Sequence, residues 1–137
     1  MCYSLFMKSQ ARKQIHIRNG ITYSVNILQE LSGSIPVEEV PIESLKFDKN
    51  EPLWRNDATE NGKKYSMAEV MAGKQGSQFI AEHYGRALAS DLSYPILTDS
   101  NYEPVDGYHR ILRALIENLD TVKVRRFDSL PSEAIVE

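Results

Sequence analysis

The clearest pattern in the chain is the order of apolar and polar positions in its last third. Apolar residues recur at helical spacing, and they predict one face of an amphipathic helix. They are Leu112, Leu115, Ile116 and Leu119, with Tyr108 and Ile111 on the same side. Before this helix, LSYPILTD is typical of a buried strand, Asn101 to Glu103 predict a turn, and a second strand ends at Asp106. After it, VKVRRF alternates and predicts a closing strand.

The first half of the chain carries a weaker pattern. TYSVNILQELSG predicts a helix that Gly33 stops. IPVEEVPIESLKF is interrupted by Pro36 and Pro41. Since proline cannot donate to a sheet ladder, either an edge-type strand or a pair of extended pieces is expected. The polar stretch 48–64 predicts a surface loop, with Trp54 as its apolar anchor.

Two further helices are expected in the middle of the chain. Ser66 precedes MAEVMAG and is followed three positions later by Glu69, which is the pattern of a capping box. A longer helix is predicted from Ser77 to about Ser90, because Phe79, Ile80 and His83 fall at helical spacing.

Together these elements predict one α/β or α+β domain with a small mixed sheet flanked by helices. The chain has 137 residues, a length that favours a single core. We assign residues 1–20 to an N-terminal extension, partly flexible, and residues 21–137 to the domain.

Composition narrows the classes of function. The net charge is −3, so a general nucleic-acid surface is not expected. Cys2 is the only cysteine, which excludes an intramolecular disulfide and a cysteine zinc site. No zinc or EF-hand spacing is present, so we predict no protein-built metal site. No secretory signal or membrane-spanning run is recognisable, and a cytoplasmic protein without membrane contacts is expected.

The run DGYHR, Asp106 to Arg110, carries the strongest chemical signal. A strand there passes into a helix through glycine, and the first amides of a helix form an anion site. Arg110 adds a planar donor pair, and His109 adds a donor of variable charge. Asp106 either caps the helix or helps hold a polyphosphate through a divalent cation. The alternative is an ordinary turn followed by a solvated first turn.

The segment YPILTDSNYEPVDGYHRILRALIENLDTVKVRRF resembles the core of the ParB/sulfiredoxin-like domain family, in its stand-alone ParB-like nuclease domain type. VPIESLKFDKNEPLW is similar to the opening strand and loop of that fold. The resemblance covers roughly residues 36 to 130. It implies nucleotide phosphate binding at Gly107, Tyr108, His109 and Arg110, with ATP or CTP as the nucleotide and Mg²⁺ accompanying it.

Two departures from the family restrict its known activities. Sulfiredoxins carry a reactive cysteine where this chain has Tyr108, so sulfinic-acid reduction is not expected. ParB proteins continue into a helix-turn-helix module, and the chain ends soon after its closing strand. Sequence-specific DNA binding by the isolated chain is therefore not expected.

The resemblance also implies a catalytic acid, and helical spacing adds two basic candidates. Kinases of this fold use an acidic residue after the first strand, and Glu51 is the nearest match; Asp106 and His109 complete the candidate catalytic set. His83 and Arg86 share a helical face and form either a second basic wall or a surface pair.

Two functions are carried forward. One is a nucleotide-dependent phosphotransferase or hydrolase acting on a small-molecule acceptor. The other is a non-catalytic nucleotide-sensing or DNA-associated module that works with a protein partner. A carboxylate placed as general base distinguishes these two functions. A third possibility stays open, in which the domain binds no nucleotide and serves as a protein-interaction module.

Overall fold

The computed structural model describes residues 14–55, 64–73 and 78–136, and within these ranges the chain forms nine strands and four α-helices. The strands are β1 (Ile15–Arg18), β2 (Ile21–Ser24), β3 (Glu38–Pro41), β4 (Trp54–Arg55), β5 (Lys64–Tyr65), β6 (Ile96–Thr98), β7 (Pro104–Asp106), β8 (Thr121–Arg126) and β9 (Ile135–Val136). The helices are α1 (Val25–Leu31), α2 (Met67–Ala72), α3 (Gln78–Ala89) and α4 (Tyr108–Ile116).

The central sheet has four strands in the order β3-β8-β6-β7. Strand β8 runs parallel to β6, while β3 and β7 are antiparallel to their neighbours, so the sheet is mixed as predicted. Strand β3 lies at the edge and ends at Pro41, which agrees with the edge position expected from its prolines.

Strand β6 shows how the sheet is covered on both faces. Ile96 and Leu97 are consecutive, so their side chains point to opposite faces, and both are buried. Ile96 packs into a cluster with residues of α2, α3 and α4, and Leu97 packs into a second cluster with Leu28 of α1 and Phe127. The α+β class with a small mixed sheet between helices is confirmed.

A three-stranded sheet, β1-β2-β9, lies beside the central one and corrects one prediction. Residues 22–24, expected to open a helix, belong to β2 instead, and Ser24 caps the shorter α1 by accepting from the Ile27 amide. Asn19 and Gly20 both have positive φ and form a two-residue hairpin turn, a strong local signal that outweighs the helical spacing. Strand β1 lies inside the segment assigned to an N-terminal extension.

The remaining helices largely follow the sequence pattern. The Ser66–Glu69 capping box is present in full. Helix α4 buries Ile111 and Leu112, but it ends at Ile116, so Leu119 lies beyond it with 36% of its surface exposed. None of the helices in the described ranges is long and apolar enough to cross a membrane.

Candidate functional site

The candidate site is built on the junction between β7 and α4. Strand β7 ends at Asp106, and Gly107 takes a left-handed conformation with φ of 104° as the N-cap of α4. A Cβ at Gly107 would lie 3.2 Å from the Ile96 side chain and 3.3 Å from its Cα. Both the positive φ and this close packing require glycine, so the start of α4 is held against β6.

Two backbone amides in the first turn of α4 donate to no carbonyl of the helix. The amides of Arg110 and Ile111 both donate to the Gly107 carbonyl, at 3.0 Å. Gly107 has no side chain to cap the helix, and no side chain within residues 14–55, 64–73 or 78–136 caps it. The amides of Tyr108 and His109 are therefore available to an anion, at the positive end of a nine-residue helix.

This end of α4 opens onto a cavity of about 410 Å³. Its lining residues are Gln14, Gln29, Ser90, Asp91, Tyr94, Asp106, Gly107, Tyr108, His109 and Arg110. The structure thus brings every residue of the DGYHR run to one cavity.

Asp106 is not the helix cap that the sequence allowed, because Gly107 occupies the N-cap position. The Asp106 Oδ2 atom accepts from Gln29 Nε2 at 2.9 Å and from Arg110 Nη2 at 3.3 Å. The Asp106 and Arg110 side chains are 17% and 18% exposed. The Asp106 carboxylate therefore holds the Arg110 guanidinium at the cavity wall.

The His109 side chain is hydrogen-bonded to the His83 side chain of α3. The His83 Nδ1 and His109 Nε2 atoms are 2.9 Å apart, and the two ring planes differ by 8°. This separation is a hydrogen bond between ring edges, so one ring donates and the other accepts. The Trp54 indole stacks on both rings, with centroids 4.7 Å from His83 and 4.8 Å from His109.

This packing removes the charge that was expected on His109. Burial is the main cause that lowers the pKa of His109 to about 4, and the neighbouring His83, Arg86 and Arg110 lower it further. Burial and Arg86 also lower the pKa of His83, against the opposing effect of Glu82. At neutral pH the ligand-free pair is uncharged, so the idea of His109 as a donor of variable charge near physiological pH is wrong for this state.

The second basic wall is not formed by His83 and Arg86. His83 is buried behind His109, Arg86 is exposed on α3, and neither lines the cavity.

Glu51 lies elsewhere as well. It lines a separate cavity of about 240 Å³ that also contains Asp48. Among the described residues, Tyr108 is the one that lines both cavities. The Tyr108 hydroxyl donates to the Pro104 carbonyl at 3.0 Å, and burial is the main cause that raises its pKa to about 12. The Tyr108 side chain, which is uncharged at neutral pH, therefore lies between the two cavities.

Three residues that line these cavities were not predicted from the sequence, namely Tyr94, Gln29 and Arg125. Tyr94 and Arg110 line three adjoining cavities, of about 280, 380 and 410 Å³, which we call the Arg110 groove. Tyr94 is 64% exposed at this groove. Gln29 of α1 and Arg125 of β8 line the 380 Å³ cavity. Of these, only Arg125 had a signal, since the β8 pattern placed it on the same side as Phe127.

No group of three or more His, Cys, Asp or Glu side chains able to hold a metal ion exists in the part of the chain that the structure describes. Two carboxylates, Asp91 and Asp106, do line the cavity at α4. One or two carboxylates, with phosphate oxygens and waters, are the usual ligands of a Mg²⁺ ion that arrives with a nucleotide.

Comparisons with known proteins give one similar structure. No protein-family model matches the chain, and no curated protein matches it. The solved structure described as the "C2221 form of Pnob8-like ParB-N domain" is similar over 73% of this chain, at 18% identity and a TM-score of 0.38. This chain spans 32% of that one. At this TM-score, membership of the ParB/sulfiredoxin-like family stays a prediction from the DGYHR segment.

Proposed function

We propose that this domain binds the phosphate groups of a nucleotide at the N-terminus of α4. One observation supports the proposal: Tyr108 and His109, whose amides no side chain of the described residues caps, line the same cavity as Arg110. Backbone amides at a helix N-terminus and an arginine fork are the donors that phosphate oxygens require. The resemblance of DGYHR to the nucleotide-binding motif of ParB/sulfiredoxin-like domains supports a nucleotide as the phosphate carrier.

The charges in the cavity favour a magnesium complex as the bound form. Asp91 and Asp106 line it beside Arg110, so a bare polyphosphate would be repelled by two carboxylates. A Mg²⁺ ion held by phosphate oxygens and a carboxylate removes this repulsion. Tyr94 supplies an exposed ring for the base, and such stacking accepts adenine and cytosine alike.

Binding is supported better than catalysis. Glu51 lies in another cavity, and His109 is a weak base whose Nε2 atom is occupied by His83. Phosphoryl transfer to a small-molecule acceptor, or nucleotide hydrolysis, is the second candidate function. It is favoured by Asp106, a carboxylate at the cavity whose two side-chain hydrogen bonds among the described residues both go to Oδ2. Without turnover, the domain acts as a nucleotide sensor whose partner supplies any DNA contacts.

The test is isothermal titration of the protein with ATP and with CTP, each with Mg²⁺ and with EDTA. Arg110→Ala is expected to lower the affinity for the Mg²⁺ complexes roughly tenfold to a hundredfold, since it removes a charge-assisted contact. Arg126→Ala is the matched control, because Arg126 contacts Glu38 and Tyr102 away from the Arg110 groove. Equal binding by the parent protein and Arg110→Ala would place the site elsewhere.

A further inference from the structure

Strand β8 has an open edge along its first half. On one side, β8 pairs with β3 from its first residue onward. On the other side, its ladder with β6 begins only where Ile96 lies opposite Val124. The chain before Ile96 turns away from β8, because Pro95 has no amide to donate and the Tyr94 amide donates to the Asp91 carbonyl at 3.1 Å. Among the described strands, none therefore lies beside the beginning of β8 on this side.

The polar main-chain groups at this edge point into the gap. The Phe127 amide donates to the Thr98 carbonyl of β6, and the carbonyl just before β8 accepts from the Ile42 amide on the β3 side, both at 2.9 Å. Because successive strand residues direct these groups to alternate sides, odd-numbered residues of β8 face β6. The Lys123 amide and both the amide and the carbonyl of Thr121 therefore point to where β6 is absent.

These three groups have no hydrogen-bond partner in the part of the chain that the structure describes. Water satisfies such groups in the free protein. An unpaired strand edge is also the place where an extended peptide from another chain adds a strand. The Thr121 and Lys123 amides are two residues apart, about 7 Å along the strand, which is the repeat of an extended peptide.

The gap coincides with the cavity of about 280 Å³ in the Arg110 groove. Residues 121–123 line one side of this cavity and residues 92–94 line the other. Its apolar lining comes from Leu92, Ile96, Leu119 and Val122. The cavity therefore offers both an unpaired strand edge and an apolar pocket beside it.

The charges at the gap favour an acidic peptide. Arg110 and Lys123 line the cavity with one carboxylate, Glu39, whose Oε2 atom already accepts from the Thr121 hydroxyl at 2.8 Å. Lys123 has no ion pair among the described residues. Val122 and Lys123 are consecutive, so their side chains lie on opposite faces of the sheet. A peptide that alternates apolar and acidic residues matches both faces.

We propose that this gap docks an extended, alternately apolar and acidic peptide segment of a partner protein, which adds as a short strand along β8. A nucleotide base is the competing occupant, since Tyr94 and Arg110 also line the cavity at α4. One base edge is too short to pair with three groups spread over about 7 Å of strand, whereas a peptide main chain repeats at that spacing. The docking site is independent of the proposed nucleotide site, because Thr121 and Lys123 do not line the cavity at α4.

Hydrogen exchange of the free protein tests the open edge. The Lys123 amide is expected to exchange at least about tenfold faster than the amides of Val122 and Val124, which face β3. Equal protection of all three amides would overturn the proposal, because it would show that the Lys123 amide is already paired.

The docking test is a ¹⁵N NMR titration, without nucleotide, of the protein with the peptide acetyl-Val-Glu-Leu-Glu-Val-amide. Saturable shifts of the Thr121 and Lys123 amides are expected, with slower exchange of the Lys123 amide. The same peptide methylated at its leucine and glutamate nitrogens keeps the side chains but loses main-chain donors, so it should bind at least about tenfold more weakly. Equal binding of both peptides, or no shift at these amides, would overturn the proposal.

A matched pair of variants locates the pocket. Leu119→Gln removes apolar surface from the cavity and should weaken the peptide about threefold to tenfold. Leu88→Gln is the control, because Leu88 is 46% exposed on α3 and lies outside this cavity. Equal effects of the two variants would contradict the site. Adenosine or cytidine that shifts the Thr121 and Lys123 amides, where the peptide does not, would overturn the proposal and assign the gap to a base.

Discussion

His83 and His109 share a hydrogen bond of 2.9 Å between their ring nitrogens, and the Trp54 indole stacks on both rings. The pair joins α3 to α4 directly behind the proposed phosphate site. Because both rings are neutral at neutral pH, the contact fixes the position of His109 without adding positive charge. The charge for phosphate must therefore come from Arg110 and the helix N-terminus.

The histidine pair should make stability depend on pH in the mildly acidic range. The unfolded chain takes up the His109 proton below the ordinary histidine pKa of 6.5, whereas the folded protein resists it until a pKa of about 4. The free energy of unfolding is therefore expected to fall as pH decreases from 6.5 to about 4, by about 3 kcal/mol in all. Urea denaturation across this range, compared between the parent and His109→Gln, measures the effect.

Glutamine cannot titrate but keeps a donor and an acceptor, so His109→Gln should flatten this part of the pH profile. A phosphate in the cavity favours the protonated ring, so bound nucleotide should reduce the slope in the parent protein. Equal slopes for the parent and His109→Gln would contradict the assignment.

Gly107→Ala tests the geometry of the junction. The change forces a Cβ onto a residue with φ of 104° and to 3.2 Å from Ile96, so a loss of about 1–3 kcal/mol in unfolding free energy is expected. Gly85→Ala is the matched control: it lies in α3 with nothing within 4 Å of an added Cβ. Alanine there should stabilise the helix by about 0.5–1 kcal/mol. Similar effects of both changes in thermal denaturation would show that Gly107 is not strained.

Arg18 and Asp99 are expected to hold the three-stranded sheet to the central one. Arg18 Nη1 donates to the Asp99 carboxylate, which is 11% exposed. Burial works against the charge on Asp99, but hydrogen bonds from the Glu103 amide, Arg18 and the Asn101 amide lower its pKa. Asp99→Asn should cost about 1–3 kcal/mol and speed hydrogen exchange of the β1 amides.

Glu103→Gln is the control for this pair, because Glu103 is 3.6 Å from Arg18 and half exposed. A cost below about 1 kcal/mol is expected for it. The Asp99 contribution should be lost only as pH falls below the ordinary aspartate pKa of 3.8 and through the lower folded value. If both substitutions cost the same, the tie between the sheets has another origin.

Any turnover of a nucleoside triphosphate is expected to depend on Asp106 rather than on Glu51. Asp106 lines the cavity at α4, whereas Glu51 lies across Tyr108 in a separate one. Phosphate release from Mg²⁺–ATP by Asp106→Asn should fall by about a hundredfold or more in kcat, as for loss of a general base. If Glu51→Gln loses phosphate release and Asp106→Asn does not, the catalytic centre lies at the 240 Å³ cavity instead.

The sequence determined the local elements of this protein, because their signals lie within a few residues. The capping box at Ser66 and the helix after Gly107 follow from short-range spacing, and so does the edge position of β3. The Asn19-Gly20 pair is an equally local signal for a hairpin turn, and it outweighs the weaker helical pattern that follows it.

Only the tertiary structure decided which side chains meet. His83 and His109 are 26 residues apart and touch because α3 packs on α4. Arg125 reaches the same groove as Arg110 because β8 pairs with β6 in the register Leu97↔Arg125. Glu51 lies behind Tyr108 instead of beside Gly107. Helix packing and strand register depend on burial across the whole core, which no short stretch of sequence encodes.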